Sequence, residues 1–211
     1  KAEATRYSER FSKGFAVLEN LMSEGSALES QGKWREANEK YLQVTPELKG
    51  RKTPFYWQAQ SRAWGCISKL WEGAPDAEKP ALEGDIVKAI AALKEIIPKA
   101  VKDQDKSGAA VAALTLGAIL YQRREWADAV ATLSIFTTDL ASVETYRCAG
   151  LNALVFAGAR LGDVKPTERH YAELQKICTD SPLVASAAHA ISDAYVEKGQ
   201  LNSAAKYALL Y

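Results

Sequence analysis

Histidine, cysteine and methionine are scarce in this chain, at two, three and one residues in 211. The two histidines, His170 and His189, stand far from any second metal-type ligand set. Asp193, one turn after His189, reads as the partner of a surface pair, and Glu168 lies on a different helical face from His170. Cys66, Cys148 and Cys178 are odd in number and form no CxxC pair, so neither a zinc site nor a disulfide framework is indicated. The three read as small buried hydrophobes, with a Cys148–Cys178 bridge as the alternative in an exported chain. Charge excess is also missing. Twenty-seven Lys and Arg against twenty-six Asp and Glu leave +1, which gives no general attraction for nucleic acid or an anionic membrane. Lys99, Lys102 and Lys106 cluster, but Asp103 and Asp105 sit among them, so the group reads as a solvated helix end. No apolar run approaches the roughly 18 residues of a membrane-spanning helix. A glycine-rich phosphate loop and a Ser or Cys nucleophile motif are absent as well, so the chain is read as non-catalytic, with no cofactor and no metal.

What remains is helix, and no strand alternation is strong enough to count. Hydrophobic residues at 47% and charged residues at 25% are ordinary for a folded chain. Residues 2–31 contain no proline, and Tyr7, Phe11, Phe15, Leu18, Leu21, Met22 and Leu28 recur at three- and four-residue intervals, as one long amphipathic helix requires. Further helices are expected over 34–44, 55–71 and 81–102, the last kinked or split by Pro98 and striped by Ile86, Ile90, Leu93, Ile97 and Val101. The third should bury Tyr56, Ala59, Ala63, Ile67 and Leu70. Residues 45–54 and 72–80, rich in Pro and Gly, read as connections, and 105–107 as a charged break whose last residue starts a helix. Helices over 107–124, 126–139, 143–161, 166–178, 182–198 and 201–211 complete an all-α chain of about ten helices. The short loops between most of them force sequential antiparallel neighbours.

The turns repeat. Trp34, Trp126, Val164 and Leu201 fall in register at spacings of 92, 38 and 37 residues. Ala37, Ala129, Thr167 and Ala204 follow three residues later, then Tyr41, Leu133, Tyr171 and Ala208. A small residue in the second helix lets it cross the first closely, and Gly25 and Gly117 do the same for the first helix. On these residues the chain resembles the tetratricopeptide-repeat (TPR) family. One match runs through Leu21, Gly25, Leu28, Gly32, Trp34, Ala37, Tyr41 and Val44, and another through Leu116, Gly117, Leu120, Trp126, Ala129, Leu133 and Phe136, with Arg124 where the family has Gly. The last runs through Ala188, Ile191, Ser192, Tyr195, Gly199, Leu201, Ala204 and Tyr211, and a degenerate copy through Leu151, Leu154, Gly162, Val164, Tyr171 and Leu174. The resemblance implies an α-solenoid of antiparallel helix pairs in a right-handed superhelix. It forms a single domain over 1–211: a long first helix and first repeat over 1–45, a degenerate pair with a lengthened second helix over 55–106, and three regular repeats over 107–211.

A fold of this kind transfers no reaction. The resemblance implies a concave face built from first helices, which here places Val111, Leu114, Ala118 and Tyr121, then Asn152, Phe156, Ala159 and Arg160, then Ser186, His189, Asp193 and Glu197, toward a partner helix or peptide. Tyr7, Phe11 and Phe15 are alternative fillers of such a groove, or a self-association surface that would make a homo-oligomer. Met22, Ser26, Leu114 and Ala118 stand where family members that clamp a peptide carboxylate place Lys, Asn and Arg, so that activity is not expected. The resulting expectation is a protein-binding scaffold or adaptor. An enzyme or ligand-binding protein built on the repeat is the second reading, and a nucleic-acid binder, which the neutral charge opposes, the third. The first residue is Lys1 rather than Met and no capping helix follows Tyr211, so a removed leader or anchor, or a trimmed disordered start, and further chain or a partner are expected. This favours the bacterial periplasm or envelope over the cytoplasm.

Overall fold

The left-handed backbone conformation, which side chains resist, ends five helices at equivalent places. Gly32, Gln104, Arg124, Gly162 and Gly199 all have φ between 61° and 79°, and each lies two residues before the next helix. At each of them the following residue's N–H bonds back across the turn: Lys33 to Leu28, Asp105 to Ala100, Glu125 to Leu120, Asp163 to Gly158 and Gln200 to Tyr195, at 2.9–3.1 Å. This is the Schellman closure, which satisfies a carbonyl that the helix end would otherwise orphan. Glycine adopts the conformation freely, whereas a side chain there is strained by roughly 1 kcal/mol. Arg124→Gly is therefore expected to raise the unfolding free energy by about 0.5–1 kcal/mol. Gly32→Ala, at a site with no atom within 4 Å of the added Cβ, should lower it by a similar amount. Urea titration of the two variants checks both signs.

The computed structural model describes the backbone of all residues except 1, 49, 50, 54, 180, 210 and 211, and the side chains except those of 1–13, 47–52, 54, 180, 210 and 211. Among the described residues there are ten α-helices: α1 Ala2–Ser30, α2 Trp34–Leu42, α3 Tyr56–Gly73, α4 Lys79–Lys102, α5 Lys106–Gln122, α6 Trp126–Leu133, α7 Glu144–Leu161, α8 Val164–Ile177, α9 Pro182–Glu197 and α10 Leu201–Ala208. A two-residue antiparallel hairpin, β1 Glu47–Leu48 and β2 Arg51–Lys52, stands in the connection expected over 45–54. Chain packing defines two compact units, 1–115 and 116–211, with the boundary inside α5.

In the first unit α1 packs on α2, α2 on α3 and α3 on α4. Ala37, Tyr41 and Val44 of the α2 region meet Ala59, Ala63 and Cys66 of α3. A Cβ on Gly25 would come within 2.6 Å of the Tyr41 ring, so the glycine is what lets α1 lie against that tyrosine. Arg62 crosses the same junction, donating to Glu29 at 2.8 Å and to the Tyr41 hydroxyl at 3.2 Å. Burial pushes the Tyr41 hydroxyl up to about 12 against the opposing pull of Arg62, and raises the Cys66 thiol to about 12 as well. Cys66 is thus held as an unreactive thiol.

Five sequence expectations shift here. The face of α3 is centred on Ala59, Ala63 and Cys66, with Ser61 and Ser68 also buried, while Tyr56, Ile67 and Leu70 are only half-buried. The stripe of α4 is Ile86, Ala89, Leu93, Ile96 and Ala100, because alanines at 89 and 100 permit closer approach to a neighbour than Ile90, Ile97 and Val101 would. Helix α4 is not split at Pro98 but runs unbroken through it. The connection expected over 72–80 shrinks to 74–78, since α3 extends to Gly73 and Pro80 falls in the first turn of α4, where proline lacks nothing. The cap of α5 is Asp105, whose carboxylate accepts the Gly108 N–H at 2.8 Å, rather than Ser107. Burial raises the Asp105 pKa even so.

In the second unit Trp126, Val164 and Leu201 are each the first residue of their helix, as Trp34 is in the first unit. Ala37, Ala129, Thr167 and Ala204, three residues on, are 0%, 0%, 2% and 4% exposed, so the aligned small residues are the crossing points. A Cβ on Gly117 would meet Leu133 at 2.7 Å, and one on Gly158 would meet the Thr167 hydroxyl at 2.3 Å. Helix α6 ends earlier than expected, in a 3₁₀ turn at Ser134–Thr137. Ser134 donates to the Val130 carbonyl and Thr137 to that of Ser134, each at 2.7 Å, and such local bonds compete with helix continuation. In the last pair Tyr207 is buried in place of Ala208. The ion pairs are mostly exposed, where solvent screening and side-chain entropy leave them little net stabilisation. A fully buried Leu133 or Leu151 contributes about 1.5–3 kcal/mol, so packing decides stability.

Candidate functional site

Helix α7 is buried around most of its circumference, at Gly150, Leu151, Leu154, Val155, Ala157, Gly158 and Ala159. What it leaves accessible is a narrow stripe at one-turn spacing, which carries Asn152, Phe156 and Arg160. Helix α9 starts with Ser181, whose hydroxyl accepts the Leu183 N–H at 3.3 Å, followed by Pro182 in the first helical position. It buries Ala187, Ala188, Ile191 and Ser192, and presents His189, Asp193 and Glu197 at the same one-turn spacing. The two helices pack on each other directly, which brings the stripes together.

Between them lies a recess of about 310 Å³, its open mouth included. Phe156, Ala159, Ala190 and Ala194 line it with hydrocarbon; Arg160, Asp193 and Glu197 line it with charge, and His189 with a polar ring. Arg160 donates through Nη1 to Glu197 at 3.2 Å and through Nε to the Tyr121 hydroxyl at a long 3.4 Å. Tyr121 first, then Glu197 and Asp193, hold the guanidinium charged and raise its pKa. His189 Nδ1 faces Asp193 at 3.2 Å, the surface pair expected from the spacing.

The structure therefore gathers Tyr121, Phe156, Arg160, His189 and Asp193 at one place. Asn152 is half-buried on the same α7 stripe, and its Oδ1 has no hydrogen-bond partner among the described residues. Ala118 is exposed one turn before Tyr121, while Val111 and Leu114 are half-buried on the part of α5 that belongs to the first unit. Phe15 packs against Phe55 with ring centroids 5.3 Å apart, whereas the Tyr7 and Phe11 side chains lie outside the described residues. Glu197 and Ala190 complete the recess. The resemblance already placed Glu197 on this face with His189 and Asp193, whereas Ala190, next to His189, was not read from the sequence.

A second polar cluster lies behind this face and was not legible in the sequence. Tyr195 and Tyr207 both donate to Glu168 Oε1 at 2.7 Å, with their rings stacked 5.9 Å apart and Tyr171 edge-on to Tyr207 at 5.7 Å. Burial works against ionisation of Glu168, but the hydroxyls of Tyr207 and Tyr195 together with Lys206 and Lys165 prevail and lower its pKa. Burial, reinforced by Glu168, pushes Tyr195 up to about 12 and Tyr207 higher still. A depressed carboxylate stabilises the fold above its ordinary range, and that stability is lost as pH falls through the lowered value. Raised tyrosines stabilise fully below pH 10, and that part is lost as pH climbs through about 12. Denaturant titrations across pH are expected to show stability falling steeply above pH 10, and falling less in Glu168→Gln, where the hydroxyls lose their anionic acceptor.

The pairing of Cys148 with Cys178, Cα atoms 6.1 Å apart, corrects the reading of three independent buried thiols; Cys66 alone is free. It is the alternative the sequence offered for an exported chain, ranked second there because both residues look like ordinary helical hydrophobes. Among the described residues no group of three His, Cys, Asp or Glu is placed to hold a metal ion, and no helix is long and apolar enough to cross a membrane.

No known protein family matches the chain, and no curated protein does. Solved structures do. The nearly identical TPR-like repeats of a Podosopora anserina protein described as a kinesin light chain superpose with a TM-score of 0.61 at 15% identity, over 90% of each chain. A glutamine-to-methionine variant of the same repeats gives 0.60 at 15%, again over 90% of each. The chain has the fold of TPR-like helical repeats.

Proposed function

We propose that this TPR-like fold serves as a protein-binding scaffold, taking a helix or extended segment of a partner protein along the first-helix face of its second unit. The observation that carries the reading is the recess between α7 and α9. Its floor is hydrocarbon, its rim is charged, and Phe156 lies in it half-buried rather than packed away. Such a composition suits recognition of a few anchoring side chains. Ala118 and Tyr121 extend the face along α5. The helix pairs act as a rigid support and take no chemical step, so this is a non-catalytic role that calls for no cofactor.

The compartment follows from the same proposal. A Cys148–Cys178 bridge persists where thiols are oxidised, which supports an exported protein and, in a bacterium, a place in the periplasm or cell envelope. Alkylation of the protein taken directly from its source, without reductant, is expected to leave Cys148 and Cys178 unmodified. Labelling of both would place the protein in a reducing compartment.

The functional test compares wild type with Phe156→Asp as baits against extract of the source organism. A protein retained by the wild type and lost by the variant, with the variant's helical circular dichroism unchanged, is the expected result. Identical recoveries would remove this face from consideration.

A further inference from the structure

The last turn of α9 carries its charges at the wrong end. Asp193 and Glu197 stand one turn apart, and no Lys or Arg lies within that turn. Carboxylates repel each other at this spacing, and the carbonyl end of a helix is already negative. Lys198 follows directly, but its ammonium is turned onto the Gly162 carbonyl at 2.5 Å. Across the recess Arg160 meets Glu197 through Oε1, and His189 meets Asp193 through Oδ2. One guanidinium faces two carboxylates in the recess, and Asp193 Oδ1 and Glu197 Oε2 lie outside both contacts. Beneath these oxygens the floor is Phe156, Ala190 and Ala194, an apolar surface with no side chain longer than a methyl group on the α9 side.

Unbranched hydrocarbon ending in a cation fits that combination, because such a side chain lays its methylenes on apolar surface and keeps its head among polar groups. We propose that the recess takes a lysine or arginine side chain of the partner segment, with the stem on Phe156, Ala190 and Ala194 and the charged head between Asp193 and Glu197. An anionic anchor would meet two carboxylates, with Arg160 already engaged. The bound cation supplies what the end of α9 lacks, so binding also relieves the repulsion within that turn. The proposal rests on the reading of this face as a peptide-binding surface.

The experiment selects a random peptide library displayed on phage against the wild-type protein, then measures the selected peptides on Phe156→Asp and on the double variant Asp193→Asn, Glu197→Gln. The expected result is a set of peptides rich in Lys or Arg that lose binding in Phe156→Asp and weaken about tenfold in the double variant, as loss of an ion pair of about 1.4 kcal/mol gives. Their binding should also fall with added salt. Peptides that need Phe156 but carry acidic or purely apolar anchors, and ignore the double variant, would overturn the cation site and leave the peptide-binding surface standing. A selection yielding no peptide that depends on Phe156 would overturn the surface itself and the cation site with it. Circular dichroism of both variants separates loss of binding from loss of fold.

Discussion

Gly150→Ala is expected to destabilise the second unit by about 3 kcal/mol, at the upper end of what a single overpacked methyl group costs. A Cβ at position 150 would lie 2.2 Å from the Phe136 ring and 2.4 Å from two more of its carbons. Neither partner can yield cheaply. Gly150 is in the buried part of α7, and Phe136 is fully buried in the 3₁₀ turn that ends the α6 segment. Relief must then come from shifting the turn away from α7, which opens space elsewhere in a core packed to crystal density. Phe136→Leu alone should cost about 1 kcal/mol, and in combination with Gly150→Ala it should restore part of the loss. Urea denaturation of the four proteins in that cycle measures the coupling. Additivity of the two changes would mean that the ring and the glycine do not meet.

Removing the Cys148–Cys178 bridge by serine substitution at both positions should cost about 3–4 kcal/mol. The two residues are 30 apart in sequence, and closing a loop of that size in the unfolded chain carries roughly that entropy. The bridge joins α7 to the residue that ends α8, in the same hydrophobic cluster as Leu151, Leu174 and Ala187. Arg147 and Glu173, 2.7 Å apart, already tie the two helices at that end, so the fold survives reduction but melts lower. Thermal unfolding with and without reductant is the check: a shift in the wild type and none in the double variant. Equal shifts in both would assign the effect to something other than the bridge, since Cys66 is buried and its thiol held protonated.

The sequence carried the pair boundaries and the crossing points because both depend on single residues. Trp34, Trp126, Val164 and Leu201 follow a left-handed turn residue, and Ala37, Ala129, Thr167 and Ala204 are small where two helices must touch. Arg124, the departure from glycine noticed in the sequence, keeps the glycine conformation at φ 63°. What escaped depended on the approach of distant elements. Periodicity ranked Ile90 and Ile97 above Ala89 and Ala100, because it rewards hydrophobicity and the contact with α3 rewards smallness. Tyr207 took the buried place of Ala208 because Glu168 and Tyr195 hold its hydroxyl and ring, and no pattern within α10 records them. For the site, the resemblance to the repeat family put Phe156, Arg160, His189 and Asp193 on the first-helix face, helical spacing relating only the residues within each helix. The recess itself, and the place of Ala190 in it, needed the packing of α7 on α9.

Of the features described, the bridge has a mechanical side. If a partner or an anchor pulls on this chain, helix pairs joined only by packing can peel apart one after another and pay out their length. The segment between Cys148 and Cys178 cannot, because the load passes through the sulfur atoms and bypasses it. About 100 Å of chain, at roughly 3.4 Å per extended residue, is withheld from extension. Oxidised protein under tension should therefore show a shorter final unfolding step than reduced protein by about that length. The pair α7 and α8, which includes one wall of the recess, would be the last part of the second unit to come undone.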